Sequence, residues 1–216
     1  MYNYFVNENA TGDANGVDWY NGFTDISGAL NIIDTIPEDS GVNIFLAAGN
    51  YYADINRSQA NFYMGGGYIV PSTVTSGNMY TNYPRFITRI VSNENHLNSG
   101  NFFFDGIEYM SYDSGYLFYS VTNLTFDNCE IFATNGIKSL TTSGVLYADE
   151  LRAIGNGSGA FFNGGYIGNI SNSVFSKYDD CLGFYFINDE INTSVIHHCN
   201  RGLVHMFEAG EGYYAS

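Results

Sequence analysis

Three glutamates, Glu108, Glu130 and Glu150, stand 22 and 20 residues apart in one local setting. Each lies four residues after one apolar position and directly before the next. If the chain winds in coils of that length, the three side chains point outward in a ladder. Their backbones are then about 4.8 Å apart. Like charges at that spacing raise at least one pKa or recruit a cation. Paired carboxylates are also what glycoside hydrolysis uses, which makes the three glutamates the catalytic candidates if the protein is an enzyme. Arg152 follows Glu150 by two residues and can neutralise part of the ladder. The plainer reading is a solvated acidic stripe, and the same column continues as Val174 and Val195.

Other stretches invite chemistry less strongly. Asp13, Asn15 and Asp18 surround a glycine in "GDANGVD". Alternating oxygen ligands at a tight turn are part of a calcium loop, but no bidentate Glu follows at the required position. A turn held by Asx hydrogen bonds explains the same residues. Calcium is therefore the one cofactor considered; otherwise none is expected. His197, His198, Cys199 and His205 could supply a metal with soft ligands. Neighbouring strand residues face opposite ways, however, which separates His197 from His198. The tyrosine-rich stretches "NYYADINRSQANFYMGGGY" and "NMYTNYPRF" are the better binding candidates, with Tyr63, Tyr68, Tyr80 and Tyr83 as ligand-binding residues. Tyrosine rings stack on sugar faces and anchor interfaces.

Composition narrows the partners. Acidic side chains number 22 and basic ones 7, a net charge of −15. Nucleic acid and anionic membrane surfaces are repelled. Apolar residues make up 45% of the 216-residue chain, enough for a folded core. No apolar stretch is long enough to span a membrane. The opening "MYNYFVNENATGDANG" has neither a basic start nor an apolar run, so no signal peptide is expected. Three cysteines, Cys129, Cys181 and Cys199, match no zinc spacing, and their odd number predicts free, buried thiols.

The elements that position these residues come from a repeat. An apolar pair five residues apart recurs as Phe104/Tyr109, Phe126/Ile131, Leu146/Leu151, Ile170/Phe175 and Ile191/Ile196. Small or apolar residues fill the space between at Ile107, Cys129, Ser173 and Ser194, and Asp149 breaks that column. A second register, glycine before an apolar run, follows each copy at Gly115, Gly136, Gly159, Gly183 and Gly202. One such unit cannot bury its apolar side alone; stacked units can, as parallel strands around a continuous core. A β-sandwich would also give short strands, but not the same residue types in the same columns. The one convincing helix lies near residues 25–35. Ile26, Ala29, Leu30 and Ile33 share a face, Thr24 is the candidate N-cap and Pro37 closes it. The expected organisation is a single domain: an N-terminal strand, loop and capping helix over 1–41, then a coil over 42–216 with tyrosine-rich insertions around 51–100.

The stretch "GDANGVDWYNGFTDISGAL", followed by "LAAGNY", resembles the opening of single-stranded right-handed parallel β-helix proteins, the pectin-lyase-like superfamily. The likeness covers 12–52 by motif and 100–207 by period. It implies an all-β, right-handed parallel β-helix of about seven coils. It leaves activity open, because that fold hosts lyases, hydrolases, phage spikes and adhesins. Family pectate lyases use clustered Asp for calcium and a Lys or Arg base, and no basic residue here sits in such a motif. Asp179 and Asp180 resemble the aspartate pair of family hydrolases, without the accompanying motifs. The sequence therefore favours a non-enzymatic surface protein: a virion (phage) fibre, spike or decoration component contacting host glycans. The alternatives are a subunit of a prokaryotic adhesin or extracellular filament, and a polysaccharide lyase or glycoside hydrolase. No C-terminal cap is evident after "GLVHM", so other virion or filament subunits are expected to cover that end, in an oligomer or larger assembly. The expected location is the virion surface or, for the adhesin reading, the cell surface.

Overall fold

The computed structural model describes residues 1–70, 88–120, 123–141, 143–187 and 190–206. The chain winds into a parallel β-solenoid of about six turns, close to the seven expected. Each complete turn contributes three short strands, so the solenoid has three faces. The first face stacks Gly41–Ala47, the later part of Asn56–Tyr68, the later part of Asn95–Asp105, Asn123–Asp127, Val145–Asp149 and Tyr166–Ser171. The second runs through Gly49–Tyr52, Thr88–Val91, Glu108–Met110, Glu130–Phe132, Arg152–Ile154, Val174–Ser176 and Val195–His197. The third stacks Tyr116–Ser120, Asn135–Ser139, Ala160–Asn163, Asp180–Phe184 and Arg201–His205.

The strand register corrects the sequence reading at one copy. The apolar column is Phe104, Phe126, Ala148, Ile170 and Ile191, a step of 22, 22, 22 and 21 residues. Its companion is Tyr109, Ile131, Ala153, Phe175 and Ile196. The third copy is thus Ala148/Ala153, not Leu146/Leu151. Two small alanines were hidden by two conspicuous leucines. Leu151 instead lies between the two columns, buried like Ile107 and Cys129, so Asp149 breaks nothing. Where the alanines leave room, Phe161 of the same coil packs against Phe175 at 5.2 Å.

A single residue turns the chain from the first face to the second. Gly106, Asn128, Glu150, Asn172 and Thr193 occupy that corner with φ of 64°, 47°, 49°, 49° and 45°. This left-handed backbone suits Gly and Asn and strains the other two. Backbone bonds continue through the corner: the Asn128 amide donates to Asp149 O at 3.0 Å, and Glu130 N to Ile107 O at 3.0 Å. Inside, Asn95 replaces missing ladder bonds by accepting from Ile55 N at 2.7 Å and donating to Leu117 O at 2.9 Å.

The two ends differ. Strand Tyr2–Val6 pairs with Gly41–Ala47, and its outer edge is closed by the loop before the helix. Phe5 N donates to Gly16 O, and Asn7 N to Phe23 O. Helix Ile26–Ile33 buries Ile26, Ala29, Leu30 and Ile33 over this end, as expected. Its N-cap is Asp25, not Thr24: the Asp25 carboxylate accepts from Gly28 N at 2.7 Å. At the other end Val195 and Leu203 are half exposed, and no further strand covers them among the described residues. The cysteine expectation is also corrected. Cys181 and Cys199 form a disulfide with Cα atoms 6.1 Å apart, and only Cys129 is a free, buried thiol. Stacking brings the two together across neighbouring coils, a proximity that spacing along the chain does not reveal.

Candidate functional site

The glutamate ladder has two rungs, not three. Glu130 pairs in register with Glu108 on one side and with Arg152 on the other. Arg89 pairs with Glu108 beyond that. Glu150 lies at the corner two residues earlier, exposed, and points into no column of the second face. The second face therefore reads Arg89, Glu108, Glu130, Arg152. Glu108 and Glu130 are 7% and 5% exposed, and each is ion-paired with its neighbouring arginine. An arginine at each end of the run therefore occupies the two carboxylates. Two more described arginines are also paired, Arg57 with Asp34 and Arg201 with Asp180.

An unbroken acidic ladder does exist, on the first face. Asp105, Asp127 and Asp149 pair in register on three successive coils. Ser171 follows in the same column. Burial, more than any charge, pushes the Asp105 carboxyl up, against a hydrogen bond from the Tyr63 hydroxyl at 3.0 Å. Asp127 is raised by burial first, then by Asp105, Asp149 and Glu150 around it. Asp149 is served by two donors, Ser171 Oγ at 2.8 Å and Asn172 Nδ2 at 2.9 Å. Asp-Gly, Asp-Asn and Asp-Glu, beginning at 105, 127 and 149, span the first three of these corners and mark the ladder in the sequence.

Two residues before each aspartate, the same face carries a second outward column: Phe103, Thr125 and Tyr147. Phe103 leans towards the preceding coil, stacked on Tyr63 at 5.6 Å and 26°. Tyr147 leans towards the following coil, where its ring lies over Gly168; a Cβ there would meet Tyr147 Cε1 at 2.3 Å. The two rings therefore part over the small Thr125. They leave a shallow depression of about 250 Å³ lined by Phe103, Thr125, Asp127, Tyr147, Asp149 and Asn169. Aromatic walls offer flat apolar faces, and the carboxylates beside them accept hydrogen bonds from hydroxyl or amine groups.

Of the tyrosines singled out by sequence, Tyr63 and Tyr68 pack around this face. Tyr63 contacts Phe45 and Phe103 and donates to Asp105. Tyr68 packs on Trp19 and Phe45, and burial raises its hydroxyl pKa. Both are partly buried, and Tyr63 supports the aspartate column rather than standing free. Tyr80 and Tyr83 lie outside the described residues. Phe103 and Tyr147 share a column only with Thr125 between them, so no repeated residue type marks them, whereas the three aspartates recur every 22 residues in the sequence.

The calcium-like turn is held by its own hydrogen bonds. Asp18 Oδ1 accepts from Asn21 N at 2.7 Å, Asn15 Oδ1 accepts from Val17 N at 3.2 Å, and Asp13 N donates to Asn21 Oδ1 at 3.0 Å. His197 and His198 touch through their Nδ1 atoms at 2.6 Å, whereas His205 contacts Tyr185 O. Among the described residues no group of three or more His, Cys, Asp or Glu is placed to hold a metal ion. No family model matches the chain, and comparison with curated proteins and with solved structures returns no match.

Proposed function

We propose that this protein is a non-enzymatic solenoid scaffold of a virion fibre, spike or decoration, which contacts surface glycans along its first face. The observation that carries the reading is the opening over Thr125, with Phe103 and Tyr147 parted and Asp127 and Asp149 alongside. A pyranose has the same two surfaces to offer: an apolar face for the rings and hydroxyls for the carboxylates. The backbone beneath is tied on both sides by parallel pairing, so the site is held rigid without ligand. Enzymatic use of the glutamates has less support, because Arg89 and Arg152 already occupy them. The likeness of the N-terminal motif to pectin-lyase-like proteins agrees with a surface role, and so does a disulfide, which persists in oxidising surroundings. The same disulfide favours, as a second reading, a subunit of an adhesin or extracellular filament. Co-purification with intact virions, as opposed to cell-surface fractions, separates the two.

The test is a glycan array followed by calorimetry on the best binder. Gly168→Ala pushes the Tyr147 ring back over Thr125 without touching the ligand. We expect it to weaken binding at least about tenfold, close to 1.4 kcal/mol, with the fold intact by circular dichroism. Equal affinity in Gly168→Ala and in Asp127→Ala would sink the proposed site. Release of reducing ends from the bound glycan, lost in Glu130→Gln, would replace it with an enzyme.

A further inference from the structure

We infer that the Cys181–Cys199 disulfide is a redox latch on the terminal described coil: the coil is locked when the bond is oxidised and loosened when it is reduced. This does not depend on the proposed function. Cys181 lies on strand Asp180–Phe184 and is fully buried. Cys199 lies one coil further on, between Val195–His197 and Arg201–His205, and is partly exposed. The bond therefore joins the last described coil to the one beneath it. Parallel backbone pairing holds that coil as it holds the others, but its side-chain packing is weaker. Its inward residues Ile191 and Ile196 are only partly buried, and Leu203, in register with the buried Leu182, is 53% exposed. Its polar ties to the coil below are surface contacts: Arg201 to Asp180, Asn200 to Asp179 and Thr193 to Asn172. Such contacts contribute little in water. Coils deeper in the stack bury aromatic pairs, such as Phe104 on Phe126 at 5.3 Å, and need no covalent tie.

Reduction is a two-electron exchange with small thiols. A thiolate attacks the accessible Cys199 sulfur; the S–S bond breaks, and Cys181 leaves as thiolate and takes up a proton. A second thiol attacks the mixed disulfide and releases Cys199, and the two small thiols leave as their disulfide. Cys129 does not compete, because burial pushes its thiol up to about 12 and leaves it inert at neutral pH. A chain made in a reducing compartment thus carries a loose terminal coil, and oxidation fastens it.

Hydrogen exchange read by mass spectrometry on the full oxidised chain, with and without dithiothreitol, tests this. The bond closes an 18-residue separation, so reduction should speed exchange at the Val195 and Arg201 amides on the order of 100-fold. Exchange in Glu108–Met110 and Glu130–Phe132 should stay unchanged. Cys199→Ser should exchange fast with or without reductant, and Cys129→Ser should keep the wild-type response. Brief treatment with glutathione should leave its first adduct on Cys199. The latch is overturned if reduction leaves the terminal amides protected, if it loosens the whole stack equally, if the first adduct sits on Cys181, or if three free thiols titrate in the denatured oxidised protein.

Discussion

On the second face Glu108 and Glu130 stand between Arg89 and Arg152; on the first, Asp105, Asp127 and Asp149 stand between Gly65 and Ser171. The backbone geometry is the same, with parallel strands in register on the same coils. What differs is the residue at each end of the run. Two arginines close the glutamate column electrically. A glycine and a serine leave the aspartate column to be satisfied by a tyrosine hydroxyl, a serine and an asparagine. A solenoid thus sets the spacing of like groups for free, and the flanking rungs decide whether that spacing is neutralised or left available.

The contrast can be broken experimentally. Arg152→Met leaves Glu130 nearly buried without its cation. We expect a loss of about 2 kcal/mol in urea unfolding, below the usual cost of stranding a buried charge because the guanidinium is half exposed. A loss under about 0.5 kcal/mol would mean that the glutamate column needs no closing. At the corner between the faces, Glu150→Asn relieves a left-handed backbone and removes a charge beside Asp127. It should raise stability by about 1 kcal/mol, and an unchanged melting temperature would count against strain there.

The smallest effect sharpens the comparison most. Asp127→Asn takes the middle charge from the open ladder and should stabilise by about 0.5 kcal/mol at neutral pH. The sign follows from the raised carboxyl. Folding lifts the Asp127 pKa, so its favourable contribution is complete below the unfolded value near about 3.9 and is lost as pH rises through the folded pKa. Wild type should therefore lose stability over that rise, and the variant should lose less. Matching pH profiles for the two proteins would show that the aspartates do not repel one another.

The repeat, the helix face and the parallel coil were legible because large apolar residues recur at nearly constant steps and the helix stripe is unambiguous. The site was not, for a physical reason. The interior accepts alanines where the third face of the same coil supplies Phe161, so Ala148 and Ala153 carry no hydrophobic signal of their own. Aligning on Leu146 and Leu151 moved one coil by two residues, which placed Glu150 in a ladder and hid Asp149 from another. The corner column would have corrected it: Gly106, Asn128 and Asn172 are residues that tolerate positive φ, and they fix the register where the apolar pattern fades.

Backbone hydrogen bonds between coils all run along the stacking direction. A pull along that axis loads them rung after rung and opens the molecule like a zip, whereas a sideways push meets a whole face at once. The Cys181–Cys199 bond rivets the last described rung at one end, while strand Tyr2–Val6 at the other is held by hydrogen bonds and packing. A tether fixed to the riveted coil therefore carries more tension before the stack parts than one fixed to the first strand.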